Sequence, residues 1–233
     1  MTPLDNPVWH ALFGPHAHLA LAEGAARRYD PEVARFCGLP DDPTRADWTD
    51  LARLLGPAPA GFFAVAPLAL PTDWTVNAVS ESVQMVATRP IGAADPALVT
   101  LGADDAPVML DLVRRTEPGP FLARTHELGT YLGVRTDGRL VAMAGERMRF
   151  PGHTEISAVC TDPDYRNRGL ARRLVRAVAA GIEARGETPM LHARATNAPA
   201  IALYESLDFE LRTRFDVIIA RPPEIPATAR RPA

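Results

Sequence analysis

The chain has 233 residues, of which 47% are hydrophobic and 23% charged, enough apolar material for one large domain or two small ones. A formal charge of -3 excludes a general nucleic-acid or anionic-membrane binder, whose footprint is strongly basic. Every basic residue is Arg and none is Lys, which removes a P-loop lysine, a Schiff-base lysine and a Ser-Lys dyad together.

The first thirty residues lack a basic segment followed by an apolar run, and no stretch nears 18 uncharged apolar residues. A cytoplasmic protein without a membrane partner is expected. Residues 7–29 read as helical pieces interrupted at Gly14-Pro15. Cys37 and Cys160 are too few for a disulfide framework or a Cys-rich zinc site and indicate a reducing compartment. Asp42-Pro43 opens a helix in which Trp48, Leu51 and Leu55 share a face before Gly56 ends it. Short strands are expected at 62–66 and 83–88. The small-residue run 91–97 is the best linker, which divides the chain into 1–95, 96–220 and an Arg/Pro-rich flexible tail over 221–233.

Beyond the linker come a strand at 98–101 and a helix through Val108, Leu112 and Arg115. Strands at 131–135 and 140–150 meet across Thr136-Asp137-Gly138, favourable chemistry for a tight hairpin turn. A strand at 156–161 leads to a helix over 169–185 with Leu170, Leu174, Val178 and Ile182 at i, i+4 spacing, closed by Gly186. A strand at 190–195, a helix at 199–207 and a strand at 209–220 complete the pattern. Antiparallel hairpins followed by one β-α-β crossover define an α+β class, a mixed and mostly antiparallel sheet flanked by helices.

The chemistry concentrates in residues 159–173, VCTDPDYRNRGLARR. A strand ends at Thr161, and Arg166 to Ala171 enters a helix with glycine at its start. Helix N-termini present unpaired N–H groups and partial positive charge, so a pyrophosphate fits there without lysine. Arg166, Arg168, Arg172, Arg173 and Arg176 add charge around it.

This strand-turn-R-x-x-G-x-A-helix run (Arg166, Gly169, Ala171) resembles the acyl-CoA pyrophosphate loop of the GNAT superfamily of N-acetyltransferases. A second run, Asn197 to Glu205 followed by Leu207-Asp208-Phe209, is similar to the family signature N-x-x-A-x-x-x-Y-E-x-x-G-F, with Asp208 where Gly is usual. The resemblance covers about residues 97–220. It implies the GNAT acyl-CoA fold, with the first 95 residues an added helix-then-strand region or a degenerate second GNAT-like half.

The resemblance further implies acetyl-CoA as cosubstrate. Backbone groups of Val159, Cys160 and Thr161 would pair with the pantetheine arm, and amides of Asn167, Arg168, Gly169, Leu170, Ala171 and Arg172 would hold the pyrophosphate, flanked by Arg166. Asn197 would bond the pantetheine or neighbouring backbone. Tyr204 would protonate the leaving thiolate, because a phenol near 10 keeps its proton at neutral pH while a thiol near 8.5 accepts one.

The amine must also lose a proton. Glu146, mid-strand in an apolar run, is the first candidate for base or amine binder; Glu155, His192, Glu127 and a water chain are the others. Cys160 reads as a buried inert thiol. His126-Glu127-Leu128-Gly129-Thr130 has Thr where a second zinc ligand would stand, so no metal is expected. The resulting expectation is acetyl transfer to a primary amine, either a small molecule or a peptide N-terminus, with a second copy of the chain as a candidate partner. The alternative is a non-catalytic acyl-CoA-binding regulatory module.

Overall fold

The computed structural model describes residues 2–65 and 69–224, so the expected tail lies outside the described residues beyond Glu224. Helix α1 (Pro7–Phe13) starts with proline, whose missing N–H costs nothing at a helix start. A hairpin follows, β1 (Ala20–Glu23) against β2 (Ala26–Tyr29), turning at Gly24 with φ 53° and extended by β3 (Cys37–Gly38). The helical reading of 20–29 is corrected here, since a left-handed glycine between two extended tetrads favours a hairpin. Helix α2 (Arg45–Leu55) is capped by Thr44, whose hydroxyl receives the Asp47 N–H, and it buries Trp48, Leu51, Ala52 and Leu55.

The remaining strands are β4 (Ala60–Ala64), β5 (Thr75–Ala87), β6 (Val99–Leu101), β7 (Tyr131–Thr136), β8 (Arg139–Phe150), β9 (His153–Thr161), β10 (Thr188–Arg194) and β11 (Phe209–Arg221). Helices α3 (Ala106–Thr116), α4 (Leu170–Ala184) and α5 (Ala198–Glu205) are interleaved with them. All eight strands form one sheet in the order β4-β11-β5-β10-β9-β8-β7-β6, antiparallel except for β9 beside β10. Strands from both sides of residue 95 therefore share a sheet, and β5 lies inside it between β10 and β11.

The two faces carry different covers. On one, α4 and α5 bury Leu174, Val178, Ile182, Tyr204 and Leu207 against Val83, Met85, Ile156 and Leu191. Each large aliphatic side chain so buried contributes about 1.5–3 kcal/mol. On the other face, α3 covers Tyr131, Met143 and Cys160, while α1 and residues 29–36 cover Met148, Phe150 and Met190. The first sixty residues thus roof the half of the sheet that α3 leaves open.

Candidate active site

The site begins where the parallel pair separates. Register between β9 and β10 runs from His153↔Thr188 to Ile156↔Leu191 and stops. Strand β10 continues against β5 as far as Arg194, and β9 continues against β8 as far as Thr161. The two facing edges diverge, and a cleft of about 1000 Å³ opens between them. A bulge distorts β9 between its Ser157 and Cys160 pairings, with Ala158 at φ 52°. An alanine held in the left-handed region is strained by about 1–2 kcal/mol and re-aims the neighbouring amides of an edge that has lost its partner.

At the foot of the cleft, Asn167 (φ 61°) and Gly169 (φ 73°) turn the chain into α4. The Arg173 N–H donates to the Gly169 carbonyl at 3.1 Å, so the amides of Leu170, Ala171 and Arg172 precede the helical bonding pattern. A Cβ placed on Gly169 meets nothing within 4 Å, so the space in front of the turn is open. Arg166 and Arg172 line this end; Arg166 Nε donates to the Thr161 carbonyl at 3.3 Å and Arg172 Nη2 to Ser206 Oγ at 2.7 Å. Arg168 does not line the cleft but stacks over Tyr165 at 4.9 Å. Arg173 and Arg176 turn away, to Asp95 at 2.8 Å and the Ile91 carbonyl at 3.1 Å, where they fasten the 91–95 segment to α4. This corrects the reading of those two as charges around the helix start.

Helix α5 supplies the opposite lip. Asn197 caps it by accepting the Ala200 N–H at 3.3 Å, which fixes the register that aims Tyr204 into the cleft seven residues on. Burial, then the Glu155 charge, pushes the Tyr204 phenol up to about 12, so it holds its proton. Asp208, where the signature has Gly, adopts φ 63°, and its carboxylate lies 2.6 Å from Arg89. The left-handed geometry explains why glycine is usual there, and Arg89 compensates for the acid. Cys160 is buried and its thiol is pushed up to about 11, mainly by desolvation, as expected of an inert thiol.

Glu146 lies elsewhere. It does not line the cleft, and its carboxylate sits 3.1 Å from Arg185 at the far end of α4. The apolar run around it hides an ion pair with a helix terminus, so the expectation of a cleft-facing base is not met in position. Glu127 pairs with Arg124 at 2.7 Å and also stays outside.

A polar row instead crosses five strands on the face opposite α4: Arg147 on β8, Glu155 on β9, His192 on β10, Gln84 on β5 and Arg212 on β11. Arg147 grips Glu155 with two nitrogens, Nε to Oε2 at 2.7 Å and Nη2 to Oε1. His192 Nδ1 lies 2.8 Å from Glu155 Oε1, and its Nε2 lies 3.0 Å from Gln84 Nε2. Arg212 donates to Gln84 Oε1 at 2.8 Å, and Gln84 Nε2 also donates to the Leu4 carbonyl at 2.8 Å. A guanidinium only donates, so it fixes which end of the amide is oxygen. The Gln84 NH₂ then meets the lone pair of His192 Nε2, and the His192 proton resides on Nδ1, donated to Glu155. Glu155 is drawn down to about 2: burial opposes this, while Arg147 and His192 favour the carboxylate. Burial lowers His192 as well. A saturated carboxylate and a capped imidazole make poor bases. Glu117 is the only carboxylate among the described lining residues.

The donor set fits acetyl-CoA: an open strand edge, a helix start with unengaged amides and a protonated phenol occupy one cleft. Comparison with known proteins agrees. Residues 131–217 match the FR47-like protein family. A crystal structure of a protein from Novosphingobium aromaticivorans, assigned to the GNAT acetyltransferases, is 43% identical, covers 95% of this chain and 99% of that one, and superposes with a TM-score of 0.86. The [ribosomal protein bS18]-alanine N-acetyltransferase of Salmonella typhimurium is 33% identical over 48% of this chain and 80% of its own length. The uncharacterized protein ML0378 of Mycobacterium leprae is 32% identical over 79% of this chain, which spans only 52% of that relative. The chain belongs to the GNAT family of acetyltransferases.

Proposed function

We propose that the protein transfers the acetyl group of acetyl-CoA to a primary amine by direct attack. The observation that carries this reading is the parting of β9 from β10 with the α4 N-terminus at one end and Tyr204 on the lip. Bound there, acetyl-CoA would supply an electrophilic thioester. The free β9 edge at Val159 to Thr161 would pair with the pantetheine arm as an added strand, and the amides of Asn167 to Arg172 would bind the pyrophosphate. An N–H of the bulged segment near Val159 or Cys160 would donate to the oxygen that gains charge on attack.

Tyr204 would give its proton to the departing sulfur as the C–S bond breaks, and its raised pKa keeps the phenol protonated until then. The amine's proton would pass to solvent at the mouth, beside Glu117, because Glu155 and His192 are saturated by each other and their neighbours. The relative that acetylates a ribosomal-protein alanine supports an acceptor of the peptide N-terminus type. Thiol release from acetyl-CoA with an amine panel tests the reading. Release dependent on both protein and amine is expected, and cofactor binding without release from any amine would favour the regulatory module instead.

A further inference from the structure

Resting on that reading, the far end of the cleft identifies the kind of amine it takes. Phe36, Phe63, Phe215, His192 and Arg147 all line it. Phe63 stacks on Phe215 at 5.3 Å and meets Phe36 edge-on at 4.9 Å, while the His192 ring lies 5.1 and 4.8 Å from Phe63 and Phe215. The Arg147 guanidinium lies over Phe36 and Phe63 at 5.3 and 5.6 Å. None of these contacts comes from the two motifs that hold the cofactor; they join the N-terminal region (Phe36, β4) to β8, β10 and β11.

The charges among the groups that pack on these rings cancel. Arg147 and Glu155 form a closed pair, His192 is neutral because Gln84 donates to its Nε2, and Arg212 is matched by Asp5 at 2.5 Å. Arg147 spends Nε and Nη2 on Glu155, and among the described residues Nη1 has no partner. The ring-lined part of the recess therefore offers aromatic surface, a balanced set of charges and the unspent Nη1 donor, while Arg194, two residues further along β10, and Ser82 opposite it also line the cleft.

We infer that the acceptor is an amine on an uncharged, apolar body that presents a carbonyl oxygen to Arg147 Nη1, the chemistry of a peptide N-terminus whose first side chain is apolar. A carboxylate placed at Nη1 would lie beside Glu155, whose repulsion offsets the attraction of Arg147. A second ammonium would meet Arg147 and the aromatic wall with no free carboxylate to pair with. The carboxylate gains little net attraction and the ammonium only the weak pull of ring faces that Arg147 already occupies, so neither recovers its lost hydration.

The test uses the full-length chain with acetyl-CoA and three primary amines: Leu-Ala amide, free leucine and Lys-Ala amide. Thiol release should give Leu-Ala amide the highest kcat/KM, by about tenfold or more. Free leucine or Lys-Ala amide performing equally or better would overturn the inference while leaving the transferase standing. Absence of release with all three, with acetyl-CoA still bound by calorimetry, overturns the inference, and absence of acetyl-CoA binding overturns the proposed function itself. Phe215→Glu, verified as folded by its melt, should raise Lys-Ala amide relative to Leu-Ala amide; an unchanged ratio would contradict the location of the recess.

Discussion

Tyr204 and His16 show how burial sets the protonation of single residues. A phenol pushed up to about 12 cannot be a base near neutrality but can be an acid, so Tyr204→Phe should lower kcat about 10²-fold or more while cofactor affinity changes little. Unchanged thiol release in that variant would remove Tyr204 from the chemistry. His16, bonded to Tyr29 Oη at 2.9 Å, is lowered from 6.5 to about 4, chiefly by desolvation. A base buried neutral binds fewer protons folded than unfolded, so its share of stability is intact above pH 6.5 and declines as pH falls towards 4. Glu155 extends the decline: drawn from 4.5 to about 2, it stabilises the fold above 4.5 and loses that contribution as pH falls through 2. Melting temperature should therefore drop in two stages on acidification, and His16→Gln should flatten the upper stage. A flat profile between pH 7 and 4 in the unmodified protein would contradict this assignment.

At the scale of the element, α4 and α5 were legible because their signals are local. Gly169, Asn197 and Tyr204 lie within their own helices or one residue before them, and i, i+4 apolar spacing marks the buried face of α4. Substituting Gly169 tests the turn: a Cβ has room, yet φ 73° disfavours it by about 1 kcal/mol, and the new methyl would enter the open space proposed for the pyrophosphate. Gly169→Ala should weaken CoA binding in calorimetry by more than it lowers the melting temperature would suggest, whereas equal affinity would argue against a phosphate at this turn. Glu155 and His192 stand out singly in the sequence, but the row that joins them to Arg147, Gln84 and Arg212 was not legible. Its five members lie between 84 and 212, on strands whose register is fixed by long-range pairing, and nothing in the local pattern of β8 separates Arg147 from Glu146. Only the alternation of faces does so, sending Glu146 to Arg185 and its neighbour to Glu155. The first half of β5 escaped notice for a related reason: Thr75 to Glu81 is exposed throughout and lacks the alternation that marks a half-buried strand.

At the scale of the molecule, the expectation of a separable 96–220 domain and the topology of the sheet make opposite predictions. Strand β5 bonds β10 on one side and β11 on the other, so a fragment starting at residue 96 would leave two long edges and the Gln84 position empty. We propose that such a fragment does not fold cooperatively; a sharp, reversible melt from it would support the separable domain instead. The N-terminal region also supplies Phe36 and Phe63 to the cleft and Leu4 to the polar row, so on the proposed reading it shapes the acceptor end while the C-terminal motifs shape the cofactor end. The proposed chemistry depends most on where acetyl-CoA binds, and hydrogen exchange with and without saturating cofactor reads that directly. Protection concentrated in amides 157–161 and 167–172 is predicted; unchanged exchange in both segments, with binding confirmed, would contradict it.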